Sequence, residues 1–419
     1  MSVDLVVLGL GYVGLPLVQA ASSAGLTVVG FDVADKIVSG LNNGRSHIDD
    51  LSDEDVGAML EHGFRATTDS SILDEAEIAA ICVPTPLSED HIPDLRAVKS
   101  ATQTIADHLH HGMLVVLEST TYPGTTDEVV RPILEAEGLT AGVDFSLAFS
   151  PERIDPGNPI FGIKNTPKIV GGHTPSCTER CIEFYRLFID TVIAARGTRE
   201  AEMTKLLENT YRHVNIALVN EIAKFCQELS VDIWDVIRCA STKPFGFQAF
   251  YPGPGVGGHC IPIDPNYLSH KVNTLGYPFR FVELAQEING SMPAYIVHRA
   301  QNILNNDAKA LRGSTVLLLG VTYKPDIADQ RESSATPVAR HLKKLGAEVI
   351  YHDPYVKEWA INGEPVRRVT DLAAQLTSAD LTILLQNHSS YDLDQIARKT
   401  RVLFDTRGKV PADSTVEHL

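Results

Sequence analysis

Cys260 ends the most unusual stretch of the 419-residue chain, Phe250-Tyr251-Pro252-Gly253-Pro254-Gly255-Val256-Gly257-Gly258-His259-Cys260-Ile261-Pro262-Ile263-Asp264-Pro265. A run this rich in glycine and proline makes neither helix nor strand. It builds a shaped loop whose backbone can approach a ligand closely. A thiol at the end of such a loop is placed for nucleophilic catalysis. Most lone cysteines are instead small buried hydrophobes, and Cys82, Cys226 and Cys239 are read that way. Asp264 comes within reach of Cys260 if a helical turn begins there.

A second pattern is Gly9-Leu10-Gly11-Tyr12-Val13-Gly14, followed by an acidic residue at Asp32. The first glycine permits a tight turn, the second lets the backbone approach a pyrophosphate, and the third lets a helix pack on a strand. The helix N-terminus adds partial positive charge toward the phosphates. A carboxylate at Asp32 accepts hydrogen bonds from a ribose and repels a 2′-phosphate, which favours NAD over NADP. Such a motif alone is weak evidence; between a strand and a helix, with the acid on schedule, it is strong. The alternative is a glycine turn kept only for packing. Pro84-Thr85-Pro86 and Ser119-Thr120-Thr121 follow later strands at their carboxyl ends, where doubly wound sheets bind ligands.

Lys205 and Asn209 stand one helical turn apart and share a face, and Glu152 follows a strand in Ser150-Pro151-Glu152-Arg153. Each is a commonplace surface pattern by itself.

The elements that must hold these residues alternate strand and helix in the first third. Candidate strands are Leu5–Leu8, Thr27–Phe31, Ala79–Val83, Met113–Leu117 and Ser146–Phe149. From about Thr198 the periodicity becomes helical, with Leu206, Leu207, Thr210, Val214, Ala217 and Leu218 on one face. After the interruption from Phe245 to Pro265, helix resumes from Phe281 to about Leu304. The last third returns to strand and helix and repeats the first: Gly25 to Asp32 and Gly346 to Asp353 each run from glycine through a strand to an acid. The expected fold is α/β, two doubly wound Rossmann-like domains joined by a central helical dimerisation domain. The expected boundaries are 1–199, 200–305 and 306–419.

Bulk composition agrees. The chain is 44% hydrophobic and 21% charged, values of a soluble globular protein. A net charge of −17 argues against nucleic acid or an anionic membrane as partner. No basic, apolar leader precedes the first strand and no apolar run is long enough to span a bilayer. Six cysteines are too sparse for a disulfide scaffold. Cys177 and Cys181 lack the further ligands of a zinc site, and no metal is expected. Cytoplasm is the expected compartment.

Taken together the motifs resemble the nucleotide-sugar 6-dehydrogenases of the UDP-glucose dehydrogenase superfamily, over essentially the whole chain. They are GLGYVGLPL from Gly9, CVPTPL from Cys82, LESTTYPGTT from Leu117, FSPER from Phe149, KLLENTYRHVNIALVNE from Lys205, GPGVGGHCIPIDP from Gly253 and YKPDIADQRES from Tyr323. The resemblance implies a four-electron oxidation of a sugar C6 alcohol with two NAD per substrate. It implies Cys260 as nucleophile, Lys205 and Asp264 handling the proton or oxyanion, and Asn209 holding the C6 oxygen. Glu152 is the implied base for thioester hydrolysis, with Thr121 orienting the water. NAD contacts are expected from Gly9, Gly11, Tyr12, Val13, Gly14, Asp32, Lys36, Pro84, Thr85, Thr120 and, from the last domain, Arg331. UDP-sugar contacts are expected from Glu152, Arg153, Lys205 and Asn209, then Lys243, Phe250, Tyr251, Gly257, Tyr323 and Lys324.

One departure is Pro325, where many members carry a second lysine. The spelling from Thr242 to Pro265 looks like the enzymes acting on UDP-N-acetylhexosamines, nearest the N-acetylglucosamine type, with N-acetylmannosamine and glucose as alternatives. A homodimer through the central helices is expected. Two other readings compete with this one. A non-catalytic nucleotide-sugar sensor would be expected to lose Cys260, Lys205 or Asp264, and a two-electron β-hydroxyacid dehydrogenase needs neither the thiol nor a second nucleotide-binding domain.

Overall fold

The computed structural model describes residues 3–48, 51–88, 92–155, 158, 160–258, 261, 263–411 and 415–419. The chain divides into two compact units: Met1–Glu208 with Asn266–Pro278, and Asn209–Pro265 with Phe279–Leu419.

The first unit holds β1 (Val3–Leu8), β2 (Val28–Phe31), β3 (Arg65–Thr67), β4 (Ala76–Ile81), β5 (Leu114–Leu117), β6 (Ser146–Phe149), β7 (Lys168–Gly172) and β8 (Val192–Ala194). They form one sheet in the order β3-β2-β1-β4-β5-β6-β7-β8, parallel throughout except where β7 runs against β6. Successive side chains of a strand point to opposite faces. Leu5 and Val7 accordingly enter one apolar layer with the Gly14–Ser23 and Pro175–Tyr185 helices, and Val6 and Leu8 enter the other with the Arg96–Ala106 helix. A sheet covered on both faces needs this unbroken apolar run.

The second unit repeats the plan. Its strands are β9 (Thr315–Leu319), β10 (Glu348–His352), the short hairpin β11 (Ala360–Ile361) and β12 (Glu364–Pro365), β13 (Arg367–Arg368), β14 (Leu381–Leu384), β15 (Leu403–Asp405) and β16 (Val416–His418). The main sheet has the order β13-β10-β9-β14-β15-β16, all parallel. Counted from its own first strand, hairpin aside, each unit contains the doubly wound nucleotide-binding order 3-2-1-4-5-6, which the first extends with its seventh and eighth strands. Val316 and Leu318 face one layer, Leu317 and Leu319 the other.

Helices fill the middle of the sequence: Thr198–Glu228, Ile233–Ala240, Asp264–Thr274 and Arg280–Asn306. Several expectations need correction. Leu207 and Leu218 are exposed, so the buried stripe of the first helix is narrower than its periodicity predicts. The glycine- and proline-rich interruption ends at Asp264, where a helix begins, and the helix at 233–240 was not anticipated. Ala79–Val83 sits three residues too late at its start, and Cys239 is exposed, not buried. Among the described residues no helix is long and apolar enough to cross a membrane, and no cluster of three metal-ligating side chains occurs.

Candidate active site

The first unit builds its nucleotide loop from the end of β1. Gly9 has φ +93°, and a Cβ there would lie 2.7 Å from the Cys82 carbonyl oxygen. At Gly14 a Cβ would collide with the carbonyl of Gly9, while at Gly11 it would meet no atom within 4 Å. The three glycines therefore divide as the motif requires: turn, open approach, packing. The Asp32 carboxylate, half-buried after β2, accepts from the N–H groups of Leu10 (3.0 Å) and Ala34 (2.9 Å). It retains lone pairs for ribose hydroxyls. Tyr12 and Val13 are half-buried in the turn, and Lys36 is exposed in the first turn of the Asp35–Asn42 helix. After β4, Pro84 is exposed and Thr85 buried, its carbonyl accepting from the Tyr267 hydroxyl. The open approach at Gly11 and the remaining lone pairs of Asp32 fit a dinucleotide.

After β5, Ser119 donates to the carbonyls of Ile81 (3.2 Å) and Val83 (2.8 Å), tying two strand ends together. Thr120 is half-buried and Thr121 buried, with the Thr121 hydroxyl lacking a hydrogen-bond partner among the described residues. Glu202 anchors the following turn. It accepts from the Gly124 N–H (2.5 Å) and from the Thr126 N–H (2.8 Å) and hydroxyl (2.7 Å). Burial pushes its carboxyl up to about 7.

Glu152 follows β6. Its Oε1 accepts from the Ile154 N–H, and its buried Oε2 has no hydrogen-bond partner among the described residues. Its main-chain carbonyl accepts from the Lys205 ammonium at 2.5 Å. The Arg153 guanidinium grips both carboxylate oxygens of Glu208 (2.6 and 3.3 Å) and the Pro167 carbonyl.

In the second unit the buried Asn209 amide donates to Asp264 Oδ2 at 2.5 Å, and Asp264 opens the Asp264–Thr274 helix. The glycine loop is clamped by amides: Gly253 N–H donates to Asn220 (2.9 Å), Asn220 to Asn289 (2.9 Å), and Asn289 to the His213 carbonyl (3.2 Å). Cβ atoms at Gly257 and Gly258 would each come within 2.8 Å of the Tyr323 side chain, so glycine there lets the loop lie against that ring. Phe250 packs edge-on to Tyr211, Tyr251 stacks on Trp234, and the Lys243 ammonium lies over Phe245. Lys324 is half-buried beside Thr322, and Arg331 pairs with Asp329 at 2.6 Å. Cys260 and His259 lie outside the described residues.

The sequence reading missed Glu118, Lys168, Tyr185 and Glu202. A carboxylate placed directly after the apolar run Leu114–Leu117 was the available signal for Glu118; Lys168 and Tyr185 carry none without knowledge of which strands are neighbours.

Comparison with known proteins identifies the architecture. Three family profiles match in order: the NAD binding domain of the UDP-glucose/GDP-mannose dehydrogenase family at residues 3–189, its central domain at 199–291, and its UDP binding domain at 317–412. The chain is 34% identical to a UDP-N-acetyl-D-mannosamine dehydrogenase of Methanococcus maripaludis, covering 96% of this chain and 92% of that one. It is also 34% identical to an NDP-N-acetyl-D-galactosaminuronic acid dehydrogenase of Ralstonia solanacearum, covering 96% and 95%. The solved UDP-D-ManNAc dehydrogenase of Pyrococcus horikoshii superposes with a TM-score of 0.89 at 31% identity, over 99% and 98%. The chain belongs to the UDP-glucose/GDP-mannose dehydrogenase family, and is an NAD-dependent nucleotide-sugar 6-dehydrogenase with an NAD-binding Rossmann domain, a central helical domain and a UDP-binding domain.

Proposed function

We propose that the enzyme oxidises the C6 alcohol of a UDP-N-acetylhexosamine to the carboxylate through a covalent intermediate on Cys260. The observation that carries this reading is one helix, Thr198–Glu228. On successive turns it presents two buried polar side chains already tied to further members of the expected set, Lys205 to the carbonyl of Glu152 and Asn209 to the carboxylate of Asp264.

In this reading NAD, when bound over the Gly9–Gly14 turn and Asp32, accepts a hydride in each of the two oxidations. Lys205 and Asp264 take the alcohol proton and stabilise the C6 oxyanion, and Asn209 holds that oxygen. The Cys260 thiolate adds to the aldehyde as a thiohemiacetal, which is oxidised to a thioester. Water then attacks the thioester carbon, giving up its proton to Glu152 with Thr121 as orienting hydroxyl. Tyr323, Lys324 and the loop around Gly257 hold the UDP-sugar, joined by Lys243, Phe250 and Tyr251, while Arg331 serves the NAD side. The division at 1–199, 200–305 and 306–419 is proposed as the NAD-binding, catalytic-helical and UDP-sugar-binding parts.

On the sugar, loop spelling favours the glucosamine type, whereas the relatives above are named for N-acetylmannosamine and N-acetylgalactosaminuronic acid. These names support the N-acetylhexosamine class, with UDP-N-acetylmannosamine the first substrate to try and UDP-N-acetylglucosamine the second. Leu207, Leu218, Phe225, Phe281 and Leu284 lie exposed on the central helices and support a homodimer through them. The cytoplasm is the proposed compartment.

The test is NADH release across UDP-N-acetylhexosamines and UDP-glucose, for wild type and Cys260→Ser. Two NADH per sugar and a loss of turnover by orders of magnitude in the serine variant are expected, because a hydroxyl is a poor nucleophile at neutral pH. Near-normal two-NADH turnover by that variant would remove Cys260 from the mechanism.

A further inference from the structure

Beneath Glu152, the first unit buries a charged cluster to which the mechanism above assigns no work. Glu118 directly follows β5, Lys168 begins β7, and Tyr185 ends the Pro175–Tyr185 helix; all three are buried. Lys168 donates to Glu118 Oε2 at 2.7 Å, and the Tyr185 hydroxyl donates to Glu118 Oε1. Both Glu118 oxygens are thus taken. The Lys168 ammonium lies 3.9 Å from Glu152 Oε2, too far for a hydrogen bond and near enough for strong attraction where water is scarce. That oxygen is the one without a hydrogen-bond partner among the described residues.

We propose that Lys168, pinned by Glu118 and Tyr185, is a positioning residue that holds the Glu152 carboxyl by its charge with one oxygen uncommitted, so that this oxygen can take a proton of the water that hydrolyses the thioester. The inference rests on the reading of Glu152 as that base. Two buried carboxylates without a cation repel each other and lose the charge or the geometry that a base needs. Lys168 prevents this without occupying the oxygen that must act. Burial alone would pull its ammonium down, but the charges of Glu118 and Glu152 outweigh that and hold it above the ordinary lysine value. Burial and the charge of Glu118 raise Tyr185 well above its own, so it remains a donor. Cys82 and Cys181 also face the cluster, and burial keeps both as neutral thiols.

In the step served, the water oxygen bonds to the thioester carbon, one of its protons passes to Glu152 Oε2, and the carbon–sulfur bond breaks to release the Cys260 thiolate and the sugar carboxylic acid, whose remaining proton is lost to solvent. No oxidant is consumed. A fault in Lys168 should therefore slow hydrolysis and spare both oxidations.

The experiment compares full-length Lys168→Met, Lys168→Arg, Tyr185→Phe and Glu152→Gln with wild type. Single-turnover NADH formation, intact-protein mass and the pH profile of product release are recorded for each. For Lys168→Met we expect a normal burst of two NADH, an accumulating thioester adduct, a roughly hundredfold slower release, and an acid limb displaced upward by a pH unit or more. Lys168→Arg should restore release. Tyr185→Phe should displace the acid limb less, in the same direction, and serves if the methionine variant does not fold. Unshifted acid limbs in both the methionine and phenylalanine variants would overturn the proposal, as would equal slowing of oxidation and hydrolysis. Glu152→Gln separates the two ideas. If it hydrolyses normally, the reading of Glu152 fails; if it traps the thioester and Lys168→Met does not, only Lys168 is wrongly assigned.

Discussion

The two nucleotide-type sheets share one plan and differ in one loop each. Gly9 after β1 and Gly320 after β9 both have positive φ, +93° and +76°. A Cβ at Gly9 would press on the Cys82 carbonyl at 2.7 Å, and one at Gly320 on the Gln386 carbonyl at 2.5 Å, each just past the adjacent strand. Asp32 and Asp353 both follow the second strand, and each accepts the N–H of the residue after its glycine's turn begins, Leu10 and Val321. There the likeness ends. Asp32 is half-buried with lone pairs left over, whereas Asp353 is fully buried and further engaged by Tyr355, Val356 and the His388 ring. Hydrogen bonds from His388 and Val321 hold the Asp353 carboxyl below its ordinary range despite burial. Nothing in the second loop corresponds to Gly11 and Gly14. One glycine and one acid are what the sheet needs; two more glycines and an unspent acid are what a dinucleotide needs.

If that is right, matched substitutions should part company. Gly9→Ala and Gly320→Ala should damage their units alike, each by about 3 kcal/mol or more, because a backbone oxygen cannot yield and the φ is wrong for alanine. Gly11→Ala should leave denaturant midpoints nearly unchanged while raising the KM for NAD at least about tenfold. Unaltered NAD kinetics in the Gly11 variant would break the comparison at its functional end.

The acids should separate in the same way. Asp353→Ala strands several buried donors and should cost about 3 kcal/mol in chemical denaturation. Asp32→Ala should cost about 1 kcal/mol or less but narrow the preference for NAD over NADP by about tenfold in kcat/KM. A wild type equally efficient with both cofactors would remove the assignment of Asp32.

The repeat was legible because alternation in a fully buried strand leaves an apolar run that few other structures require, and Leu5–Leu8 and Thr315–Leu319 both have it. The glycine spacing was legible because each glycine answers a steric demand between residues close in sequence. Lys205 and Asn209 were legible as a pair on one helix face. The Arg153–Glu208 pair was not legible, since nothing in the neighbourhood of Arg153 in sequence announces Glu208. Lys168 and Tyr185 were invisible for the same reason, as their charge partners arrive from β5 and from the turn after β6. The exposed Leu207 and Leu218 show the limit of periodicity, which marks an apolar face without saying what covers it.

The remaining expected effects concern pH, and they carry opposite signs in the two units. Glu202, in the first, is raised by burial from an ordinary value of 4.5 to about 7. The folded state holds its proton more tightly than the unfolded chain, so its stabilisation is complete below pH 4.5 and is lost as pH rises through 7. The loss should reach about 3 kcal/mol and be absent from Glu202→Gln. His213, in the second, is lowered by burial from 6.5 to about 4. Here the unfolded chain binds the proton more tightly, so stability is present above pH 6.5 and lost as pH falls toward 4. Neither ring nitrogen has a hydrogen-bond partner among the described residues, but the ring borders a cavity of about 440 Å³ that water can enter, which should limit the effect to about 1–2 kcal/mol. Because the windows overlap, the two slopes oppose each other and the wild type should look nearly flat between pH 5 and 6.5. Urea titrations at half-unit intervals should show stability rising with pH in Glu202→Gln and falling with pH in His213→Gln. Parallel curves for the two variants would mean that at least one of these groups titrates as it does in water.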